Sequence, residues 1–318
     1  MRLPACSPLH SETQLTRIIR IFLSCCLAST AATAPLQAAA VPNAVAERDR
    51  AIPGGRAVEV ILPQTQIETT IDIGRVASAA NNGGGGLLGM IIISSMDDTR
   101  EVLSQSSRGR AEAAIAPLRQ ALRGFDVNGL AVATTKAALA KPAWFQPASI
   151  DVTNDAAIQS RAEFLAKLKS AQVALVGYRY EASPDFTQIR VIADLQLGRA
   201  GAMKGGALAL TPIYHQQVVS IVQLRKPSFE TSENVGRWSA DDGKLAKAAL
   251  TSAFARLEQL IPFAFGLGDA DVKSFAAKGR EKAFAAGYYG PLVERNPERP
   301  GEALIWANGL VNVQPSQD

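Results

Sequence analysis

The chain has 318 residues, of which 47% are hydrophobic, and a formal net charge of +4 at pH 7. That hydrophobic fraction is enough for a folded core and excludes wholesale disorder. Lysine and arginine residues are scattered along the chain, so the sequence lacks the clustered basic patch typical of nucleic-acid-binding proteins. We therefore expect no nucleic-acid partner.

Residues 1–40 have the pattern of a signal peptide for export. A basic region ends at Arg20, residues 21–28 are apolar, and Ala38-Ala39-Ala40 provides an A-x-A cleavage site. We expect cleavage after Ala40 and a periplasmic location. An alternative stays open, because Leu23-Ser24-Cys25-Cys26 loosely resembles a lipoprotein cleavage box that would anchor the protein to a membrane through Cys26.

The positions of the cysteines and histidines exclude several chemistries. Cys6, Cys25 and Cys26 are the three cysteines, and all lie in the predicted signal peptide. Cleavage after Ala40 would therefore remove disulfides, thiolate metal sites and cysteine nucleophiles. His215 is the single histidine after the signal, which excludes a histidine-rich metal site. We expect no metal and no cofactor.

The N-terminal part of the predicted mature chain falls into two segments. Residues 41–80 form an N-terminal segment in which 58–62 and 66–71 are predicted to be short strands. Residues 81–125 combine a glycine-rich loop with a helical segment. The loop formally matches a G-x-G-x-x-G pattern, but Asn81-Asn82 precede it instead of an apolar strand, so we assign no dinucleotide site.

An apolar stretch, residues 87–96, follows the glycines and must be buried in a core, a partner or a membrane surface. About ten of its residues are apolar enough for hydrocarbon, and they would reach only about 15 Å, half of a bilayer core. A buried core helix is one interpretation. The other is a contact element toward an envelope protein or membrane surface, formed by Leu87, Leu88, Met90, Ile91 and Ile92.

Residues 126–318 are predicted to form an α+β body. We expect strands over 129–134, 173–180, 187–197 and 213–224. One helix is predicted to start at Asp155, a second at Asp241-Asp242, and a third to cover 271–285. A closing hairpin is predicted at 303–306 and 310–313. Pro262 is predicted to end the helix that starts at Asp241. The predicted fold class is α+β, with a mostly antiparallel sheet and helices packed on one face, preceded in the sequence by a glycine-rich apolar helix. Alternatively, residues 41–318 form one domain.

Few residues are candidates for a functional site. Tyr178, Tyr180 and Tyr214 are predicted to line a ligand pocket between the sheet and the helices, although packing within the sheet is the alternative interpretation. A general base formed by His215 and Asp194 requires a strand register that the sequence does not give. The adjacent carboxylates Asp97-Asp98 point about 100° apart on a helix, which is unsuitable for sharing a proton. We assign no catalytic residue.

Several stretches carry a resemblance to a known set of proteins. They are residues 85–92, residues 111–119, Tyr178-Arg179-Tyr180 with residues 183–186, and Pro212-Ile213-Tyr214. Together they resemble exported proteobacterial envelope proteins that are themselves uncharacterised. The resemblance implies an export signal and an α/β body, and it implies no activity or site residue.

These observations lead to three functional hypotheses. The first is an exported periplasmic or envelope protein that binds or scaffolds another component without catalysis. The second is a periplasmic protein that binds a small ligand through the three tyrosines. The third is a hydrolase that uses Asp194, His215 or the Asp97-Asp98 pair.

Overall fold

The computed structural model describes residues 41–69, 98–154, 163–165, 167, 169–202, 208–285 and 287–317. Its helices are Glu47–Arg50 (α1), Asp98–Ala121 (α2), Val127–Leu139 (α3), Thr231–Gly266 (α4) and Asp269–Ala276 (α5). Its strands are Arg56–Ile61 (β1), Glu68–Thr69 (β2), Pro147–Thr153 (β3), Gln172–Ala182 (β4), Gln188–Ala202 (β5), Leu208–Gln223 (β6), Lys282–Ala285 (β7), Tyr288–Arg295 (β8), Ala303–Trp306 (β9) and Gly309–Pro315 (β10).

The strands form a ten-stranded mixed sheet in the order β3-β1-β4-β5-β6-β10-β9-β8-β7, with β2 paired to β4. The α+β class is confirmed, but the prediction of a mostly antiparallel sheet is wrong. Strand β1 is parallel to both β3 and β4, and β10 is parallel to β6. All six residues of β1 are buried. Such an unbroken buried run is typical of a parallel strand covered on both faces.

The central hairpin of the sheet matches its sequence pattern. Strands β4 and β5 pair in antiparallel register from Gln172↔Arg199 to Ala182↔Ile189. Ser183-Pro184-Asp185 lies in the turn between them, which agrees with the turn-forming tendency of these residue types. The closing hairpin of β9 and β10 is also confirmed, with Asn308 at φ 56° in its turn.

Helices α2, α3 and α4 pack on one face of the sheet. The main core lies between these two layers, where α4 buries Trp238, Leu250, Phe254 and Leu257. Strand β5 contributes the side chains that alternate from Ile189 to Leu197. Each fully buried large apolar side chain stabilises the fold by about 1.5–3 kcal/mol, so this interface accounts for much of the folding energy.

Several helix predictions are wrong in type or in boundary. Residues 129–134, predicted to be a strand, belong to α3, whose N-terminus is capped by the Asp126 side chain accepting a hydrogen bond from the Gly129 N–H at 2.7 Å. Helix α4 continues through Pro262 to Gly266. The predicted helix 271–285 is instead the short helix α5 followed by β7. The helix predicted from Asp155 begins outside the described residues.

Helix α4 is interrupted where the sequence predicts a helix start. Asp241, Asp242 and Gly243 have φ values of 51°, 55° and 70°, which lie in the left-handed region. A helix does begin after this break, but another helical stretch precedes it from Thr231. The break brings Gly243 against α2, where an added Cβ would lie 3.1 Å from the Ala121 carbonyl oxygen.

The second face of the sheet is covered in part by the chain's C-terminal strands. The β7–β8 hairpin folds over this face, and Ala285 is buried there with Ile192, Val219 and Val311. Gly290 makes the close approach possible, because a Cβ at this position would collide with the backbone oxygen of Trp306. The hairpin leaves a groove beside it on the second face. Among the described helices, none is long and apolar enough to cross a membrane.

Candidate functional site

A groove of about 930 Å³ lies between the second face of the sheet and the β7–β8 hairpin; we call it the hairpin groove. Its floor is formed by side chains of β5, β6 and β10 that point away from the helices, and its walls by β7, by residues 183–185 and by residues 295–303. The floor residues are Gln188, Arg190, Gln223 and Val313, and the hairpin contributes Ala283, Phe284 and Ala285.

Arg190 holds the polar floor of the groove in place. Its Nε and Nη2 atoms donate hydrogen bonds to Gln188 Oε1 at 3.1 and 2.9 Å. Its Nη1 atom lies 3.6 Å from Glu181 Oε1, and its Cζ atom lies 5.9 Å from the centre of the Tyr288 ring. Burial raises the pKa of the Glu181 carboxyl, although Arg190 and Arg179 oppose this shift. The guanidinium is thus fixed by three neighbours before any ligand arrives.

The turn of residues 183–187 forms one rigid wall. Asp185 Oδ1 accepts hydrogen bonds from the Ser183 hydroxyl at 2.5 Å, the Thr187 hydroxyl at 3.0 Å and the Thr187 N–H at 3.2 Å. Burial alone would raise the pKa of Asp185, but these hydrogen bonds outweigh it and lower the pKa below its ordinary value. The turn is tied to α4, because Trp238 Nε1 donates to the Phe186 carbonyl oxygen at 2.7 Å.

The loop of residues 295–303 forms the opposite wall, and Glu302 fixes it. The Glu302 carboxylate is buried and accepts hydrogen bonds from Asn296 Nδ2 at 3.2 Å and Asn312 Nδ2 at 3.4 Å. Arg256 Nε on α4 lies 3.3 Å from Glu302 Oε1, which compensates the buried charge. The groove is therefore bordered on both sides by hydrogen-bonded loops.

The β7–β8 hairpin contributes an edge and an exposed aromatic pair. Phe284 and Tyr289 are directly opposite each other in the ladder, and 71% and 63% of their surfaces are exposed. Lys282 Nζ lies 5.7 Å from the centre of the Tyr289 ring. Large exposed aromatic side chains often mark a contact surface.

The three tyrosines predicted to line a pocket are buried in the main core. The Tyr178 hydroxyl is 2.8 Å from Thr135 Oγ1, and the Tyr214 hydroxyl donates to Gln216 Oε1 at 2.9 Å. Tyr178 and Tyr180 border a gap without room for a water molecule, and that gap does not include Tyr214. None of the three lines the hairpin groove, and their side chains pack in the main core between the sheet and the helices. The open groove lies on the other face of the sheet.

His215 and Asp194 are brought together by the pairing of β5 and β6. His215 Nε2 lies 2.9 Å from Asp194 Oδ1, which also accepts a 3.4 Å hydrogen bond from Gln196 Nε2. Asp194 is 3% exposed. The hydrogen bond with Asp194 raises the pKa of the His215 imidazole, although partial burial opposes this shift. The pair can accept or donate a proton, but neither residue lines the hairpin groove.

The remaining predicted site residues lie mainly outside the described residues. This applies to the contact element of Leu87, Leu88, Met90, Ile91 and Ile92, and to Asp97. Asp98 is the first residue of α2.

A second, smaller cavity of about 510 Å³ lies beside β1 and β3. Its lining carries charges of both signs, from Glu59, Asp151, Glu163, Lys167 and Lys169. Part of its wall belongs to the residues around 163–170, where the described chain is interrupted. We therefore treat the hairpin groove as the candidate site.

Sequence reasoning did not find the groove, although one signal was available. Arg190, Asp194 and Gln196 alternate with apolar residues along β5 and form a polar face, and further strands follow that could cover it. The wall formed by β7 is missing from the prediction, because residues 271–285 are predicted to be helical.

No protein-family model, curated protein or solved structure matches this chain.

Proposed function

We propose that this protein is an exported, periplasmic binding component of the cell envelope and that it holds a ligand in the hairpin groove without catalysing a reaction. The observation that carries the proposal is the groove itself. Its volume of about 930 Å³ lies within the range of roughly 300–1,000 Å³ found for ligand sites in proteins.

The construction of the groove supports binding. Gln188 and Glu181 hold Arg190 in the floor, Ser183 and Thr187 hold Asp185 in one wall, and Asn296 and Asn312 hold Glu302 in the other. Side chains that are already fixed lose less conformational freedom when a ligand binds. The Asp194–His215 pair lies outside the lining, which favours a binding role over catalysis at this site.

The proposed location rests on residues 1–40, whose basic and apolar regions and A-x-A site have the pattern of an export signal. Leu87, Leu88, Met90, Ile91 and Ile92 remain our proposed contact element toward an envelope protein or a membrane surface. A lipid anchor on Cys26 is the alternative form of attachment.

A substitution in the groove floor tests ligand binding. The full chain, its own leader included, is produced in a proteobacterial host and analysed by native mass spectrometry. A bound mass that dissociates on denaturation is expected for the wild type. Gln223→Trp should abolish it, because the indole would fill the groove. Gln120→Trp, on the exposed side of α2, is the matched control and should retain it. A ligand that survives Gln223→Trp, or no ligand in any sample, would contradict the proposal.

The location has its own test. The intact mass of the purified protein should correspond to a chain that begins at Val41, and the protein should be released with the periplasmic fraction. A lipid-modified chain beginning at Cys26 would support the anchored alternative. Full-length, unprocessed protein in the cytosol would refute export.

A further inference from the structure

We infer that the ligand of the hairpin groove is an extended polypeptide segment that adds to β7 as one more strand; this inference rests on the proposed function of the groove. Strand β7 is the last strand in the order of the sheet. Within the described ranges it pairs with β8 alone. An edge strand of this kind presents backbone donors and acceptors that another strand can use.

The ladder identifies the backbone groups that point outward. The Leu292 N–H donates to the Glu281 carbonyl oxygen at 2.7 Å. Hydrogen-bonded and non-hydrogen-bonded pairs alternate along an antiparallel ladder. Ala283↔Gly290 is therefore a bonded pair, whereas Lys282↔Pro291 and Phe284↔Tyr289 are not. The proline agrees with this register, because it has no N–H to donate.

It follows that the N–H and C=O groups of Lys282 and Phe284 are directed away from β8. Together they offer two donors and two acceptors, the set that a short extended peptide requires. The four residues of β7 span about 14 Å, so a segment of similar length would be held.

The edge of β7 that faces away from β8 opens into the groove. Ala283, Phe284 and Ala285 are consecutive residues, and all three line it. Successive side chains of a strand point to opposite faces, so three consecutive lining residues place the groove along the strand's edge. A strand added there would bring a cross-strand neighbour to the exposed ring of Phe284.

The charges of the lining favour recognition through the backbone. Arg190 and Arg295 are positive, while Asp185 and Glu302 are negative, so neither an anionic nor a cationic ligand is selected. All four groups already have ionic or hydrogen-bonded partners within the chain: Arg190 with Gln188, Arg295 with Glu281, Asp185 with Ser183, and Glu302 with Asn296. Main-chain hydrogen bonds do not depend on ligand charge.

A pair of substitutions at Phe284 tests the inference. The probe is fluorescently labelled, reduced and carboxymethylated α-lactalbumin, an unfolded chain; disulfide-intact α-lactalbumin is the folded control. Fluorescence anisotropy should report binding of the unfolded probe alone. Phe284→Pro removes an outward N–H without breaking the hairpin, and it should weaken binding by about tenfold or more. Phe284→Thr loses the same ring but keeps the N–H, so it should bind severalfold more tightly than Phe284→Pro.

Hydrogen exchange on the wild type provides a readout that needs no variant. The amides of Lys282 and Phe284 should exchange more slowly when the unfolded probe is bound. Equal affinity of Phe284→Pro and Phe284→Thr, or unchanged exchange at both amides, would overturn the inference. So would a wild-type dimer that Phe284→Pro converts to a monomer, because a second copy would then occupy the edge. If native mass spectrometry still finds a ligand that Gln223→Trp removes, the binding function stands and only its peptide identity fails.

Discussion

Replacing Asp194 by asparagine should remove a pH-dependent contribution to stability. Asp194 is 3% exposed and His215 Nε2 lies 2.9 Å from it, so the protonated imidazole makes a charge-assisted hydrogen bond to a buried carboxylate. Such bonds contribute about 1.5–3 kcal/mol. Part of this remains when the imidazole is neutral, because a neutral ring can still donate one hydrogen bond.

The sign follows from the raised pKa of His215. A histidine whose pKa is higher in the folded state contributes stability that is fully present below its unfolded pKa, about 6.5. That contribution is lost as the pH rises through the raised, folded-state pKa. When the pH rises from slightly acidic to alkaline, the wild type should therefore lose more stability than Asp194→Asn does.

Urea unfolding between pH 5 and pH 9 measures the effect, with the midpoint and the slope fitted at each pH. Asp194→Asn should be less stable by about 1–3 kcal/mol at the acidic end, and the difference should shrink at the alkaline end. Asp151→Asn, at an exposed position of β3, is the control and should run parallel to the wild type. If the curves of the wild type and Asp194→Asn are parallel, the pair does not titrate as described.

Three further outcomes are expected. Trp238→Phe should lower the free energy of unfolding by about 1–3 kcal/mol in urea, because the Phe186 carbonyl oxygen loses its indole donor; an effect near zero would contradict a role for this bond. Asp185→Asn should destabilise the protein above a pH of about 3.9, and this effect should disappear as the pH falls through the lowered pKa of the wild-type carboxyl. Thermal melts from pH 2 to pH 7 measure it, and an effect that does not change with pH would contradict the prediction. Gly290→Ala should loosen the β7–β8 hairpin, and the amides of β7 should then exchange faster with solvent. Gly109→Ala is the control and should have no such effect, because nothing lies within 4 Å of the added Cβ.

The sequence predicts those parts of the fold in which local chemistry decides the structure. The β4–β5 hairpin follows from alternating side chains and from the turn residues Ser183 and Asp185, whose hydrogen bonds are made within the turn. The same is true of the β9–β10 hairpin. Both are correct because each depends on contacts between residues close in sequence.

Long-range pairing is the part that could not be predicted. Strand β1 pairs with β3 and β4, which lie roughly a hundred residues further along the chain, and periodicity contains no information about such partners. The mixed sheet and the place of the groove both depend on it. The Asp194–His215 contact was proposed as an alternative, but only the β5–β6 register brings the two side chains together.

Two further errors concern single helices. The short run at 129–134 contains Leu130 and Val132, which favour a strand, but the Asp126 cap and the burial of Ala131, Thr135 and Ala138 at helical spacing decide for α3. Pro262 lies within α4 because the tertiary contacts of Ile261, Ala264 and Phe265 outweigh the unfavourable proline.

The insertion of β1 between β3 and β4 has a consequence for how the chain folds during synthesis. Strand β1 is made before the other strands, yet its two neighbours β3 and β4 emerge much later, so one of its edges has no partner until β4 is complete. Strands β4, β5 and β6 are consecutive and can pair as soon as they appear. We therefore expect an early three-stranded meander that accepts β1 in a slow, late step, during which an unfolded N-terminal region stays accessible to proteases and chaperones.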